Sequence, residues 1–269
     1  MNDRLGFEIR GLAYWVECVN PFRRTVTARK LPLGLRIQSY KRDVVGRILY
    51  RRRVWEPGLT KLLLDTFSNA PGSNFLDVGA NLGYFSCLFG KLAGPTGKVV
   101  AIEPETQNRQ LLEKNLKNNR LTNVTVHGCA VGATDGTARM GIYKPANRGR
   151  HSLVDLENFK KFIHVPVRRL DDLVSGAGVT SWAFMKLDVE GYESCVLDGG
   201  EETLSRTAAL AMEYLPAFWR KAGIEPEAVL QKLAAYFPRI YRFEGMDLVA
   251  MSIGECSRSE LTMDLVFRR

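Results

Sequence analysis

No C-x-x-C pair occurs among the five cysteines, which are odd in number and scattered at Cys18, Cys87, Cys129, Cys195 and Cys256. That pattern argues against a disulfide framework and against a structural zinc site. Cys87, Cys129 and Cys195 fall inside apolar runs, where a reduced cysteine packs as a small hydrophobe, so the compartment reads as reducing. Histidine is scarce, with only His127, His151 and His164. No His/Asp cluster stands at ligand spacing, so the sequence names no metal site. Long hydrophobic runs are missing too. The longest near the N-terminus, "GLAYWV", is far too short to span a bilayer and is followed by Glu17. A basic n-region with a long apolar stretch and a small-residue cleavage site is also absent. These absences point to a cytoplasmic protein.

What remains is a 269-residue chain, 45% hydrophobic and 25% charged, which is ordinary globular composition with length for a sizeable core. Its net charge of +9 is uneven. Residues 1–60 hold thirteen lysines and arginines against five acids, including "FRR", "ARK", "YKR" and "YRRR", while the rest is nearly balanced. A zone of this kind attracts phosphates, anionic lipid headgroups or nucleic acid, or is simply a solvated face. The expectation here is a basic N-terminal extension, residues 1–55, that contacts an anionic or membrane-associated acceptor. A second domain follows over 56–269.

Periodicity gives a coarse layout. "GLRIQSY" and "RDVVGRILY" read as strands, and "PGLTKLLLDTF" as a helix opened by Pro57. From Asn74 strand and helix alternate. "NFLDV", "KVVAIEP", "NVTVHGCAVG", "WAFMKLDV" and "AALAMEY" are strands. "GYFSCLFGKLA", "TQNRQLLEKNLKNN", "ESCVLDGGEETL" and "PEAVLQKLAAYF" are helices. A hairpin is expected around "TARMGIY", then the polar loop "KPANRGRHS" and a strand at "FIHVPVRRLDDL". "RIYRF" and "LTMDLVFRR" are closing strands. Near-continuous apolar strands alternating with helices predict an α/β protein with a mostly parallel sheet covered on both faces.

The loop "FLDVGANLGYFS" sits at a strand end, where open α/β sheets bind ligands. A dinucleotide loop of the G-x-G-x-x-G type is lacking; Gly79 and Gly83 are spaced G-x-x-x-G. Gly79 relieves crowding where the strand turns, and Gly83 opens the helix start to a ligand. Asn81 stands where a pyrophosphate would need bare backbone, so the loop suits a ligand without phosphate. Glu103 ends the next strand and is placed to accept hydrogen bonds from ribose hydroxyls. Ribose without pyrophosphate points to S-adenosyl-L-methionine.

"DVGANLGYFS", "AIEPETQN", "GCAVG", "VPVRRLDDL" and "MKLDVEGYE" resemble, in order and style, the FkbM family of S-adenosylmethionine-dependent methyltransferases. The resemblance covers residues 56–215. It implies the class I methyltransferase (Rossmann-like) fold, a seven-stranded sheet with an antiparallel last strand. It also implies O-methylation of a sugar, glycolipid or polyketide-type small molecule. Position by position it implies that Asp77, Gly79, Asn81, Gly83 and Ser86 surround the methionine portion. Glu103 then meets the ribose, and Cys129 and Ala130 meet the adenine edge.

An alcohol is a poor nucleophile, so in-line methyl transfer gains from a general base. Asp188 closes a strand and Glu190 precedes a helix, which makes both candidates for the site or, alternatively, for helix capping. Lys186 pairs with either acid. His151, in the polar loop, is a candidate base, and Glu213 at the end of "AMEY" a candidate lining residue. His127 and His164 lie in strands and read as structural. Two other readings stand beside this one, apart from an NAD(P)-dependent oxidoreductase that the glycine spacing disfavours. A nucleic-acid methyltransferase would use the basic N-terminus, but a D/N-P-P-Y motif and a Pro-Cys loop are both lacking. A non-catalytic binding module on the same fold is the other.

Overall fold

The computed structural model describes residues 4–144, 146–154 and 159–269, so Pro145 of "KPANRGRHS" lies outside the described residues. Helix α1, Arg4–Val19, is followed by an antiparallel pair, β1 Thr25–Ala28 and β2 Ile37–Tyr40. Next comes helix α2, Val44–Arg52, where "RDVVGRILY" predicts a strand. The cap decides the difference. Asp43 Oδ2 accepts from the Gly46 N–H at 3.1 Å, satisfying a free amide of the first turn and outweighing the strand preference of Val44-Val45. Helix α3, Pro57–Phe67, has its proline in the first turn as expected.

Strand and helix then alternate through β3 Phe75–Val78, α4 Tyr84–Ala93, β4 Val99–Ile102, α5 Thr106–Asn118 and β5 Val124–His127. The predicted strand "NVTVHGCAVG" is in fact two. After β5 the chain leaves the main sheet, and β6, Ala130–Val131, pairs with β8, Lys161–Arg168. Between them in sequence lies β7, Gly136–Ile142, antiparallel to β8, so the partner of "TARMGIY" comes from beyond the polar loop.

The remainder runs α6 Leu170–Ser175, β9 Phe184–Leu187, α7 Glu193–Asp198, α8 Glu201–Ser205 and β10 Ala209–Tyr214. It continues through α9 Pro216–Lys221, α10 Pro226–Ala234, β11 Arg239–Glu244, β12 Asp247–Met251, α11 Ile253–Arg258 and β13 Met263–Arg268. "ESCVLDGGEETL", expected as one helix, is interrupted at Gly199-Gly200 and makes α7 and α8.

The main sheet has the order β12-β11-β13-β10-β9-β3-β4-β5. Strands β5, β4, β3, β9 and β10 are parallel neighbours, and β13 runs antiparallel between β10 and β11. These seven form the expected class I arrangement. A tight turn at Gly245-Met246 adds β12 as an eighth strand at the edge. Side chains alternate between two cores, as period-2 geometry requires. Phe75, Val99, Ala101, Ala211 and Val266 face the core made with α3, α4 and α5. Leu76, Val100, Ile102, Leu210 and Phe267 face the core made with α6, α7 and α10. Leu35, Ile37, Val45 and Leu49 from the N-terminal region join the first of these cores. Phe75 and Phe89 stack there at 4.8 Å.

The chain runs outward through β3, β4 and β5 and then returns to add β9 on the other side of β3. This reversal leaves a crevice beyond the carboxyl ends of β3 and β9, the position at which such sheets hold ligands.

Candidate active site

A cavity of about 580 Å³ opens at that crevice, within the size range of small-molecule sites. Its walls come from the ends of β3, β4, β9 and β10, the segment 129–131, the loop 147–151, and Val44 and Val45 at the start of α2. Asp77, Gly79, Asn81, Glu103, Cys129 and Ala130 line it on one side. Asp188, Glu190 and Glu213 line the other, and His151 contributes from the loop. Ten of the twelve residues singled out in the sequence therefore meet around one space.

The remaining two do not. Gly83 is absent from the lining, and a side chain there would strike Leu112 Cδ1 at 2.4 Å, so its small size serves the packing of α4 on α5. Ser86 is fully buried and donates to Asp77 Oδ2 instead of facing the cavity. Gly79 has a different reason to be glycine. Its φ is +87°, and a Cβ would lie 1.7 Å from the Asp188 carbonyl oxygen, where loop and strand end cross.

Asn81 also takes a left-handed conformation, φ +51°, which asparagine tolerates better than most residues. Its backbone N–H donates to Glu103 Oε2 at 2.8 Å, and Glu105 N–H donates to Oε1 at 2.8 Å. Glu103 thus ties the loop to β4 and keeps further acceptor sites on its two oxygens. Burial pushes its carboxyl up to about 8 despite the two amides. Asp77 is pushed up to about 6, again by burial, with Lys186 and Ser86 acting in the other direction. Burial likewise raises the Cys129 thiol, so it is not an activated nucleophile.

On the opposite wall, Lys186 Nζ lies 2.7 Å from Asp188 Oδ2 and 3.7 Å from Glu56 Oε1. Burial opposes the ammonium, but the charges of Asp188, Glu56 and Asp77 hold its pKa well above the ordinary lysine value. Lys186 is therefore a fixed positive charge. Glu190 is pushed up to about 8 by burial and by the Asp188 charge. Glu213 is pushed up to about 10 by burial and by its acidic neighbours. Oxygens of Asp188, Glu190 and Glu213 all lie within 4.8 Å of one another. Such a cluster must hold a proton or a cation among its oxygens. The sequence scan for ligand spacing did not find it, because its members come from two different strand ends.

The capping alternative for Asp188 and Glu190 is not what the chain does. Glu193 Oε1 instead accepts from the amides of Val189 and Gly191, each at 3.2 Å, while Trp219 Nε1 donates to Oε2 at 2.9 Å. This buried clamp holds the turn that carries Glu190 at φ +53°. Left-handed backbone at a non-glycine residue is costly, and here it sits beside the cavity.

His151 is arranged against acting as the base. Its Nδ1 accepts from the Tyr143 N–H at 2.9 Å, so the neutral ring carries its proton on Nε2, which is buried without a partner. Burial pulls its pKa down to about 4. The ring is therefore a neutral hydrogen-bond donor.

The loop around it is held from three directions. Asp43 Oδ1 accepts from Arg148 N–H at 3.2 Å, and Val44 N–H donates to Ala146 O at 3.0 Å. Asn108 Nδ2 donates to Arg148 O at 3.2 Å, and Ser152 Oγ donates to Glu190 O at 2.6 Å. Four buried side-chain polar atoms without partners belong to lining residues: Asn81 Oδ1, Asn108 Oδ1, Arg148 Nε and His151 Nε2. Sequence reasoning missed Glu56, Asn108, Arg148 and Asp264 as lining residues. A lone acid in the apolar run "LTMDLVF" was the visible signal for Asp264; nothing comparable marks Asn108.

A family model, described as the methyltransferase FkbM domain, matches residues 77–241. The chain is 39% identical over 82 residues to 2-O-methyltransferase NoeI of Sinorhizobium fredii, covering 29% of this chain and 34% of that protein. It is 30% identical over 160 residues to 31-O-demethyl-FK506 methyltransferase FkbM of Streptomyces tacrolimicus, covering 49% of this chain and 61% of the relative. The chain thus spans less than two thirds of the length of each of these curated relatives. Among solved structures, methyltransferase FkbM from Methylobacillus flagellatus KT shares the fold, with a TM-score of 0.50 and 20% identity over 81% of this chain and 49% of that one.

Proposed function

The chain belongs to the FkbM methyltransferase family, and from that premise we propose that it moves a methyl group from S-adenosylmethionine to a hydroxyl oxygen of a sugar, glycolipid or polyketide-type small molecule. One observation carries the reading. A single cavity joins the Gly79–Asn81 loop and Glu103 on one wall to the carboxylates of Asp188, Glu190 and Glu213 on the other. The names of both curated relatives specify an oxygen as the methyl acceptor, which favours O-methylation here.

The lining suits the cofactor. Unpartnered Oδ1 atoms on Asn81 and Asn108 and the spare acceptor capacity of Glu103 match the hydroxyl and amino donors of an adenosyl amino acid. Asp77, Gly79 and Asn81 hold the methionine portion, Glu103 the ribose, and Cys129 with Ala130 the adenine edge. When bound, S-adenosylmethionine supplies an already activated methyl group on a sulfonium. The protein's remaining task is to hold the acceptor oxygen in line and to take its proton.

Asp188 is committed to Lys186, so Glu190 and Glu213 manage that proton. Glu213 keeps its proton to higher pH, so Glu190 is the one that ionises first and presents its carboxylate to the acceptor hydroxyl. Its raised affinity for a proton makes it a stronger base than an exposed carboxylate. Arg150 and the His151 Nε2–H in the loop donate to other acceptor oxygens.

Isothermal titration with S-adenosylmethionine and its demethylated product tests the cofactor: no binding of either, with binding of NAD, would sink the reading. Transfer of a labelled methyl group to a panel of sugars, glycolipids and polyketides tests the acceptor class.

A further inference from the structure

The outer face of α1 is apolar. Gly11, Tyr14 and Cys18 turn inward, and Tyr14 packs on Tyr50 of α2 at 5.5 Å. Ile9, Leu12, Val16 and Val19, spaced three and four apart, share the opposite face and are between 59% and 71% exposed. Phe22, just beyond the helix, is 93% exposed. Five large apolar side chains on one segment exceed the scattered singles of ordinary surfaces.

Positive charge gathers at the C-terminal end of the stripe, around Phe22. Phe22 also lines a second cavity, of about 460 Å³, whose walls include Arg23, Arg24, Arg29 and Arg53. The acids nearby are few. Glu17 pairs with Arg23 at 3.0 Å, and Glu8 lies 4.0 Å from Arg51. No helix among the described residues is long and apolar enough to cross a membrane.

We propose that α1 and the arginines beside it form a docking surface for an anionic membrane interface, with the apolar stripe at the acyl boundary and the arginines on headgroup phosphates. An apolar helix face flanked by Arg side chains has the two parts that interfacial binding combines. Charge complementarity selects this occupant. A second copy docked face to face would oppose arginines to arginines. A nucleic acid would meet the arginines but leave Leu12, Val16 and Val19 without a partner.

The test is sedimentation of the full chain with vesicles of phosphatidylcholine alone or with about 30% phosphatidylglycerol, at about 0.05 M and about 0.5 M salt. Binding to the anionic vesicles alone, weakened by salt, is the expected result. Leu12→Glu/Val16→Glu should lower the partition more than about tenfold, and Arg24→Glu/Arg29→Glu about fivefold per arginine. All four positions are exposed, so melting temperatures should stay at the parent value. The proposal is overturned if the protein ignores anionic vesicles, or if the Leu12/Val16 variant binds them undiminished. It is equally overturned if that variant merely converts a dimer to a monomer, or if the surface retains RNA and not vesicles.

Discussion

Glu103 and Glu213 face the same cavity from opposite walls, Glu103 buried and Glu213 partly buried, and they are held differently. Glu103 accepts two backbone amides and fastens the loop after β3 to the end of β4. Glu213 has no such donors among the described residues and stands among Asp188, Glu190 and Asp264, so its carboxyl is pushed further, to about 10 against about 8. Backbone donors suit a wall whose job is to hold a fixed shape. Crowded carboxyls suit a wall whose job is to move a proton. On the proposed function one side binds the cofactor and the other handles the proton, and substitutions can break that division.

The largest effect is expected where the two walls touch. Gly79→Ala needs a positive φ and drives a Cβ into the Asp188 carbonyl. It should cost at least about 2 kcal/mol of stability and abolish detectable cofactor binding by titration calorimetry. Glu190→Gln should leave cofactor affinity at the parent value while kcat falls roughly 10²- to 10⁴-fold, as for loss of a general base. Glu103→Gln should do the reverse. Its amide would set a donor against the Asn81 or Glu105 N–H, so cofactor binding should weaken about 10- to 100-fold, with kcat at saturation changed far less. Equal loss of affinity in the Glu190 and Glu103 variants would erase the distinction.

Further from both walls, Asp43→Ala removes the α2 cap and the acceptor for Arg148 N–H together. A loss of about 1–2 kcal/mol by thermal melts is expected, with a rise in acceptor KM from the loosened loop and little change in kcat.

The wall that carries Gly79, Asn81 and Glu103 was largely legible because each of its signals is local in sequence. Short apolar strands, Gly79 at a strand end and Glu103 before Pro104 are local signals, whereas the sheet arrangement came from the family resemblance, because strand periodicity carries no order. The acid wall was legible residue by residue but not as a cluster, since Asp188, Glu190 and Glu213 meet only when β9 and β10 pair. Glu56 sits just before the predicted helix at Pro57, and only folding brings it to Lys186. His151 was visible as a loop histidine, but its tautomer depends on the Tyr143 amide, which no spacing reveals. Gly83 packs against Leu112, and a glycine that admits a neighbouring side chain looks the same in sequence as one that admits a ligand. The α2 helix was misread for a related reason: Val44-Val45 carry strand preference, and Asp43 needed to be seen as a cap.

The smallest effect sharpens the comparison through pH. In the folded protein Glu56, Glu103 and Glu190 are pushed up to about 8 and Glu213 to about 10. Unfolded, each returns to about 4.3. The folded state therefore binds more protons over that interval, and the stability these groups contribute is full below about pH 4.3 and lost as pH rises through 8 to 10. His151 acts in the opposite sense, since its folded pKa of about 4 makes stability rise with pH up to about 6.5. Above that point the carboxyls act, joined toward about pH 9–10 by the thiols of Cys87, Cys129, Cys195 and Cys256, which burial also raises, so the melting temperature of the ligand-free protein should fall from about pH 7 to about pH 10. Glu103→Gln should flatten the lower part of that fall, near pH 7–8, and Glu213→Gln the upper part, near pH 8–10. Melts across this range in the two variants read each wall separately. If the Glu213 variant keeps the parent slope above about pH 8, the carboxyl is not protonated in the folded state and cannot be the crowded proton carrier that sets its wall apart.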